Sequence, residues 1–436
     1  MPTQTRFTKL IKRPLILLVF IFATSLTQPI SHSMLHFVNS GTLAHYGIVH
    51  PDDPQQTPVF TTVTIKNADS STHYTFQLYT ITYATTVRSK TFCTMAASAA
   101  AYGFALNVIG EGRQAQFDKE GCNERLWVVK DFVDYVHKHT LVHLKNFTVI
   151  LFIDAYDVLF NGTPKVLIKR LLASHKNILF GSEKGCCGTR ENMAFKNPVC
   201  DPVWLLPEQD TTTPYLNAGG FVGFIGGVVD LLDAAKEENV RYRAELIGRF
   251  GAIYPVADGR GPWDPYIVGG DQQLICHLFS RHVYREGHAY QGSLLREKLR
   301  MSLDYASQIF VNIYNMQVGR EIGFTQERRV FYNASEANCA SLGKFATGCE
   351  RLISRRLPLT FPIILHFNGP GKEKDKMSHV ARRIVWSQKK QTHVCNSAFY
   401  STSSGMNVSL HNVCSRFSDT LPILSNLSQY CSKSQL

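Results

Sequence analysis

The chain has 436 residues, 44% apolar and 18% charged, with a formal net charge of +12 and a pI near 9.1. That length and balance suit one large globular domain with appendages. The basic residues are scattered, with no dense Lys/Arg block interleaved with aromatics, which argues against a nucleic-acid partner and for a solvated basic surface.

Arg6, Lys9, Lys12 and Arg13 precede an apolar run from Leu15 to Ala23. The run is shorter than the roughly 20 apolar residues of a full membrane span. Residues 1–32 therefore read as a cleaved signal peptide or a short type II anchor, and either one sends the chain into the ER/Golgi lumen. Eleven cysteines agree with an oxidising compartment. So do the N-x-S/T sequons at Asn146, Asn161, Asn333, Asn407 and Asn426. The odd cysteine count leaves at least one thiol free or intermolecular. Local pairing of Cys186 or Cys187 with Cys200, and of Cys339 with Cys349, is expected.

Residues 33–72 are polar and read as a stem or leader. Alternating elements follow. Tyr74–Tyr83 is β-rich, Thr91–Tyr102 is an Ala-rich helix stopped by Gly103, and Ala105–Ile109 is a strand ending at Gly110-Glu111-Gly112. Asn123–His137 has helical spacing of its apolar residues, Phe147–Ile153 is an apolar strand, Pro164–Ala173 a short helix and Asn177–Gly181 a strand. Strands alternating with helices predict an α/β protein, with a mostly parallel sheet covered on both faces. After Lys372 the composition turns polar, Ser-rich and Cys-bearing, so 73–372 reads as the main domain and 373–436 as a disulfide-tied appendage.

Four segments carry candidate chemistry. In Val149–Asp157 an apolar strand delivers Asp154 and Asp157 to its end, the edge where open α/β sheets bind ligands. Two close carboxylates repel unless a cation or proton lies between them, so the pair is either a hard-metal site or an Asp-rich turn. Ile363–Lys372 ends a strand in His366 and continues as Asn368-Gly369-Pro370-Gly371-Lys372, a metal-ligand candidate followed by a phosphate-binding loop, or a core histidine followed by a turn. Tyr215–Gly223 carries Asn217, Gly219 and Gly220, which line a cleft or make a tight strand–helix junction. Asp271, in Gly269–Leu274, opens a helix running to about Ser280, as a helix cap or a functional carboxylate. GxGxxG, Walker and GxSxG patterns are absent.

In this order, IDAYDVLF, GSE–KGCC, YLNAGGFVG, DQQL and LHFNGPGK resemble the glycosyltransferase domain of procollagen lysyl hydroxylases and the related collagen-type galactosyl- and glucosyltransferases. The likeness covers about Tyr74 to Lys372. It implies a GT-A-like, Rossmann-related fold that binds Mn²⁺ and a UDP-sugar. By position it implies Asp154, Asp157 and His366 as metal ligands, Tyr156 against the uridine, and Tyr83 and Thr85 bordering the nucleotide. Gly369 and Lys372 would approach the diphosphate. Asn217, Gly219, Gly220 and Asn368 would line the sugar and acceptor side, and Asp271 falls on an acidic cluster required for activity. The family's acidic run is thinned here to Gly269-Gly270-Asp271-Gln272. Cys187 replaces a family Trp, Glu124 stands at a donor-side Lys, and Ala115, with Phe117 close by, stands at a donor-side Trp.

The expectation is a Mn²⁺-dependent hexosyltransferase that moves glucose or galactose from a UDP-sugar to a hydroxyl of a glycan or glycoprotein acceptor, with retention implied by the resemblance. Asp271 is a base for the acceptor hydroxyl or an orienting group. The rivals are a degenerate relative that binds a nucleotide-sugar or glycan without turnover, and a disulfide-stapled surface protein on a borrowed fold.

Overall fold

The computed structural model describes residues 46–47, 57–66, 71–113, 124–183, 213, 215–250, 254–255, 262–263, 270–283, 299–314, 316, 318, 322–325, 330–333, 359–369, 371–383 and 394–417. The N-terminal apolar run, the local cysteine pairs around 186–200 and 339–349, Ala115, Phe117, Gly269 and Asn426 lie outside them. No helix among the described residues is long and apolar enough to cross a membrane.

In chain order the elements are β1 (Phe60–Lys66), β2 (His73–Tyr83), α1 (Lys90–Ala101), β3 (Leu106–Ile109), α2 (Glu124–His139), β4 (Thr148–Asp154), β5 (Val158–Phe160), α3 (Pro164–Ser174), β6 (Ile178–Glu183) and β7 (Tyr215–Phe224). There follow α4 (Ile225–Phe250), α5 (Gly270–Val283), β8 (Met301–Leu303), β9 (Phe310–Asn312), β10 (Ile364–His366), α6 (Gly371–Arg383), β11 (Ala398–Ser401), β12 (Met406–Ser409) and α7 (Leu410–Cys414). The large sheet runs β8-β6-β7-β4-β2-β3-β11-β12, with β1 joined to β2. β2 pairs in parallel with β3 and β4, β11 with β3, and β8 with β6, whereas β7 runs antiparallel to both β4 and β6.

β4 explains why the sheet is two-sided. Val149, Leu151 and Ile153 enter one core with α1 and α3, while Ile150 and Phe152 enter a second with α2, α4 and α5. A strand buried on both faces needs an unbroken apolar run, which Val149–Ile153 supplies. Each such fully buried side chain contributes about 1.5–3 kcal/mol. α1 starts at Ser89, whose side chain accepts from the Phe92 amide at 3.1 Å, and the chain turns out of the helix at Gly103, φ 84°.

Two segments differ from expectation. Residues 60–66, read as leader, form β1, paired with β2 from Thr61↔Leu78 to Lys66↔His73. Its buried Phe60, Val63 and Ile65 supply the physical reason. The C-terminal region, read as an appendage from 373, has its proposed edge inside α6, and β11 pairs with β3 as part of the main sheet. A disulfide does tie it down, through Cys93 of α1 and Cys414 of α7, 321 residues apart.

A second, three-stranded sheet has the order β9-β10-β5, with β10 parallel to β9 and antiparallel to β5. It is stitched to the large sheet where Asn312 Nδ2 donates to the Ser182 carbonyl at 2.7 Å. This small sheet assembles the site.

Candidate active site

Asp154 is the last residue of β4 and lies opposite Tyr83, the last residue of β2. The chain turns through Ala155–Asp157 and enters β5, where Val158 pairs with His366 of β10. The Phe367 amide also donates to the Asp157 carbonyl at 2.7 Å. His366 is thereby laid beside both aspartates. Its Nε2 sits 3.4 Å from Asp154 Oδ2 and 3.5 Å from Asp157 Oδ1, and ligand atoms of the three side chains lie within 4.8 Å of one another.

His366 is 3% exposed, and its Nε2 is buried without a hydrogen-bond partner. Burial opposes a charged imidazole, but the Asp157 and Asp154 carboxylates outweigh it and push its pKa up to about 10. The trio thus favours positive charge at its centre, which a divalent cation would supply in place of a proton. Two carboxylates and one imidazole fit a hard or borderline ion such as Mn²⁺.

β7 gives the site its room. Its register against β6 is Phe180↔Phe221 and then Gly181↔Asn217, an irregularity that throws Ala218–Gly220 out of the ladder, while Gly220 still pairs with Ile153 of β4. A Cβ at Gly219 would collide with the His366 ring and come within 2.5 Å of Asp154 Oδ2. Any larger residue would have to displace these side chains.

Beside the trio lies a carboxylate hub that the sequence reading did not assign. Glu183 ends β6 and is 5% exposed. It accepts hydrogen bonds from Asn217 Nδ2 at 3.1 Å, Asn368 Nδ2 at 2.5 Å and Gln272 Nε2 at 2.7 Å. Burial pushes its carboxyl up, against the pull of these amides. Asn217 and Asn368, both expected at the site, are thus brought together through it. An acidic residue closing an apolar strand at this sheet edge is the same signal that marked Asp154, so Glu183 was findable.

Arg125, in the first turn of α2, is the other addition. Its Nη1 donates to Asp154 Oδ1, and its Nε donates to Asp271 Oδ2 at 2.5 Å. Its guanidinium carbon lies 5.7 Å from the centroid of the Phe152 ring. Burial disfavours the guanidinium charge, but Asp154 and Asp271 overcome this and raise its pKa. In turn, burial would raise the Asp154 carboxyl, and Arg125 and His366 hold it below its ordinary value. Nothing in the α2 sequence singles out this arginine. Asp271 is buried in the first turn of α5, engaged by Arg125 and by the Gln272 amide at 2.8 Å.

The nucleotide-side candidates gather at the same edge. The Tyr156 hydroxyl donates to the Thr86 carbonyl at 3.1 Å and lies 3.4 Å from Thr85 Oγ1, and the Thr85 carbonyl accepts from Gly112. Gly369 is exposed just past Asn368, with φ 115°. Lys372 falls in the first turn of α6, and neither its side chain nor that of Glu124 is among those described. Asn161, a sequon residue, is buried, its Nδ2 donating to the carbonyls of Val330 and Pro362 at 2.9 Å each.

The mixed α/β sheet, with an Asp-x-x-Asp edge and an incoming histidine, is of GT-A-like build. Residues 75–241 match the family model described as the PLOD GT domain. Over 250 residues the chain is 24% identical to multifunctional procollagen lysine hydroxylase and glycosyltransferase LH3 of Homo sapiens, covering 56% of this chain and 23% of that protein. LH3 of Rattus norvegicus matches to the same extent. A Caenorhabditis elegans multifunctional procollagen lysine hydroxylase and glycosyltransferase is 22% identical over 281 residues, 63% of this chain and 28% of that protein. The chain spans about a quarter of the length of these curated relatives. It carries a PLOD-like glycosyltransferase domain, as the order of its motifs led one to expect.

Proposed function

We propose that this protein is a Mn²⁺-dependent transferase that moves a hexose, glucose or galactose, from a UDP-sugar to a hydroxyl of a glycan or glycoprotein acceptor in the secretory pathway. The observation that carries the reading is the buried, unpartnered His366 Nε2 facing Asp154 and Asp157. An ion held by Asp154, Asp157 and His366 would supply Lewis-acid neutralisation of a departing diphosphate. The chain's own residues do the rest. Tyr156, Thr85 and Tyr83 border the nucleotide, Gly369 and Lys372 approach its phosphates, and Gly219 and Gly220 leave space for the sugar. Glu183, Asn217 and Asn368 form a preorganised polar wall beside that space. Asp271, fixed by Arg125, orients the acceptor side rather than acting as a free base. The secretory address is supported by the basic and apolar N-terminus, the sequons and the Cys93–Cys414 disulfide.

A panel of UDP-sugars tests this, scored by Mn²⁺-dependent UDP release. Release with one donor supports the transferase and names its sugar; absence of release with every donor sinks it. A second reading, nucleotide-sugar binding without turnover, is favoured by the ion pair that occupies both Asp154 and Asp271. It predicts donor binding with no release.

A further inference from the structure

We infer that Arg125 is a positioning residue that restrains the metal site, making cation binding at Asp154, Asp157 and His366 depend on Asp271, which lies outside that trio. The inference rests on the metal reading above and deepens it. One carboxylate, that of Asp154, serves two masters: Oδ1 accepts from Arg125, while Oδ2 lies 3.4 Å from His366 Nε2. The guanidinium therefore draws on the same negative charge that a cation needs. It cannot swing away freely, because Asp271 grips its Nε at 2.5 Å and the Phe152 ring lies against it. Its side chain is 25% exposed and that of Asp271 12%, so these charges are screened less than surface pairs.

The signs follow from Coulomb's law. Removing the guanidinium leaves Asp154 and Asp157 with uncompensated charge, so a divalent ion binds tighter. Neutralising Asp271 leaves Arg125 to Asp154 alone, so the ion binds more weakly, although no metal ligand has changed. Once the guanidinium is gone Asp271 has nothing to hold, so removing both leaves the ion bound as tightly as removing Arg125 alone. A purely structural role would weaken binding in every variant.

The test is a titration of the full-length protein with Mn²⁺ alone, reading the free ion by electron paramagnetic resonance and the fold by near-ultraviolet circular dichroism. Arg125→Gln should bind about tenfold tighter, Asp271→Asn about tenfold more weakly, and the double variant within about threefold of Arg125→Gln. Arg125→Lys keeps the charge and should stay within about threefold. If Arg125→Gln fails to fold, Asp271→Asn must still bind more weakly than Arg125→Lys; equal affinities overturn the inference. Folded single variants that move in the same direction, or do not move, also overturn it while leaving the metal reading intact. A wild-type protein that binds no Mn²⁺ overturns both.

Discussion

Phe367 donates its backbone amide to the carbonyl of Asp157 at 2.7 Å, one step beyond the His366↔Val158 pairing of β10 with β5. That ladder carries the histidine to the two aspartates. The site is therefore built by sheet register, and changes within its side chains should affect chemistry more than folding.

Asp157→Ala should abolish Mn²⁺-stimulated UDP release while the protein stays folded. The side chain is 18% exposed and in the free protein faces other charges rather than a packed core. Unchanged release in this variant would remove the metal assignment.

Gly219→Ala tests the space at the bulge. The added methyl would press on His366 and Asp154, and overpacking of this kind costs about 1–3 kcal/mol. Loss of Mn²⁺ binding together with a lower melting temperature is expected. Normal binding would show that the bulge relaxes and that glycine is dispensable there.

Glu183→Gln keeps the shape but turns one acceptor into a donor facing three amides. A rate loss of about a hundredfold at near-normal stability is expected, in line with removal of one preorganised polar group. Glu183→Ala would leave Asn217, Gln272 and Asn368 without their shared acceptor, at about 1–3 kcal/mol. Thermal denaturation beside steady-state kinetics separates the two effects, and a Gln variant with full activity would make Glu183 purely structural.

Cys414→Ser opens the bridge to Cys93, whose loop spans 321 residues. A loss of about 2–5 kcal/mol is expected, with faster amide exchange in β11 and β12. Equal stability of the oxidised and reduced wild-type protein would show that the strand pairing of β11 with β3 holds the segment alone.

Asn161 should carry no glycan, since its amide is spent on the Val330 and Pro362 carbonyls inside the protein. Glycopeptide mapping should find sugar only among the other sequons; an occupied Asn161 would contradict the packing around β5.

Much of the frame was legible because burial leaves a local trace. The run Val149–Ile153, apolar at every position, announced a strand covered on both faces, and the helical spacing around Leu126, Val129 and Val133 announced α2. Asp154 and His366 were readable for the same reason, since each closes such a strand, and Asp157 lies in the turn just beyond Asp154. β1 was missed because its alternating threonines look polar, and alternation is what a strand with one covered face produces. Arg125 was missed because a polar residue on an amphipathic helix is ordinarily solvated.

The sequence by itself determined most of the central strands and helices and which chemical groups reach a sheet edge, since periodicity and strand ends are properties of neighbours along the chain. Tertiary structure alone decided that His366 meets Asp154 and Asp157, that Arg125 bridges Asp154 to Asp271, that Glu183 gathers three amides, and that β11 joins the sheet behind Cys93–Cys414. Each of these depends on register and packing between distant segments. Such contacts arise when separate apolar faces are buried together, and local pattern does not encode their partners.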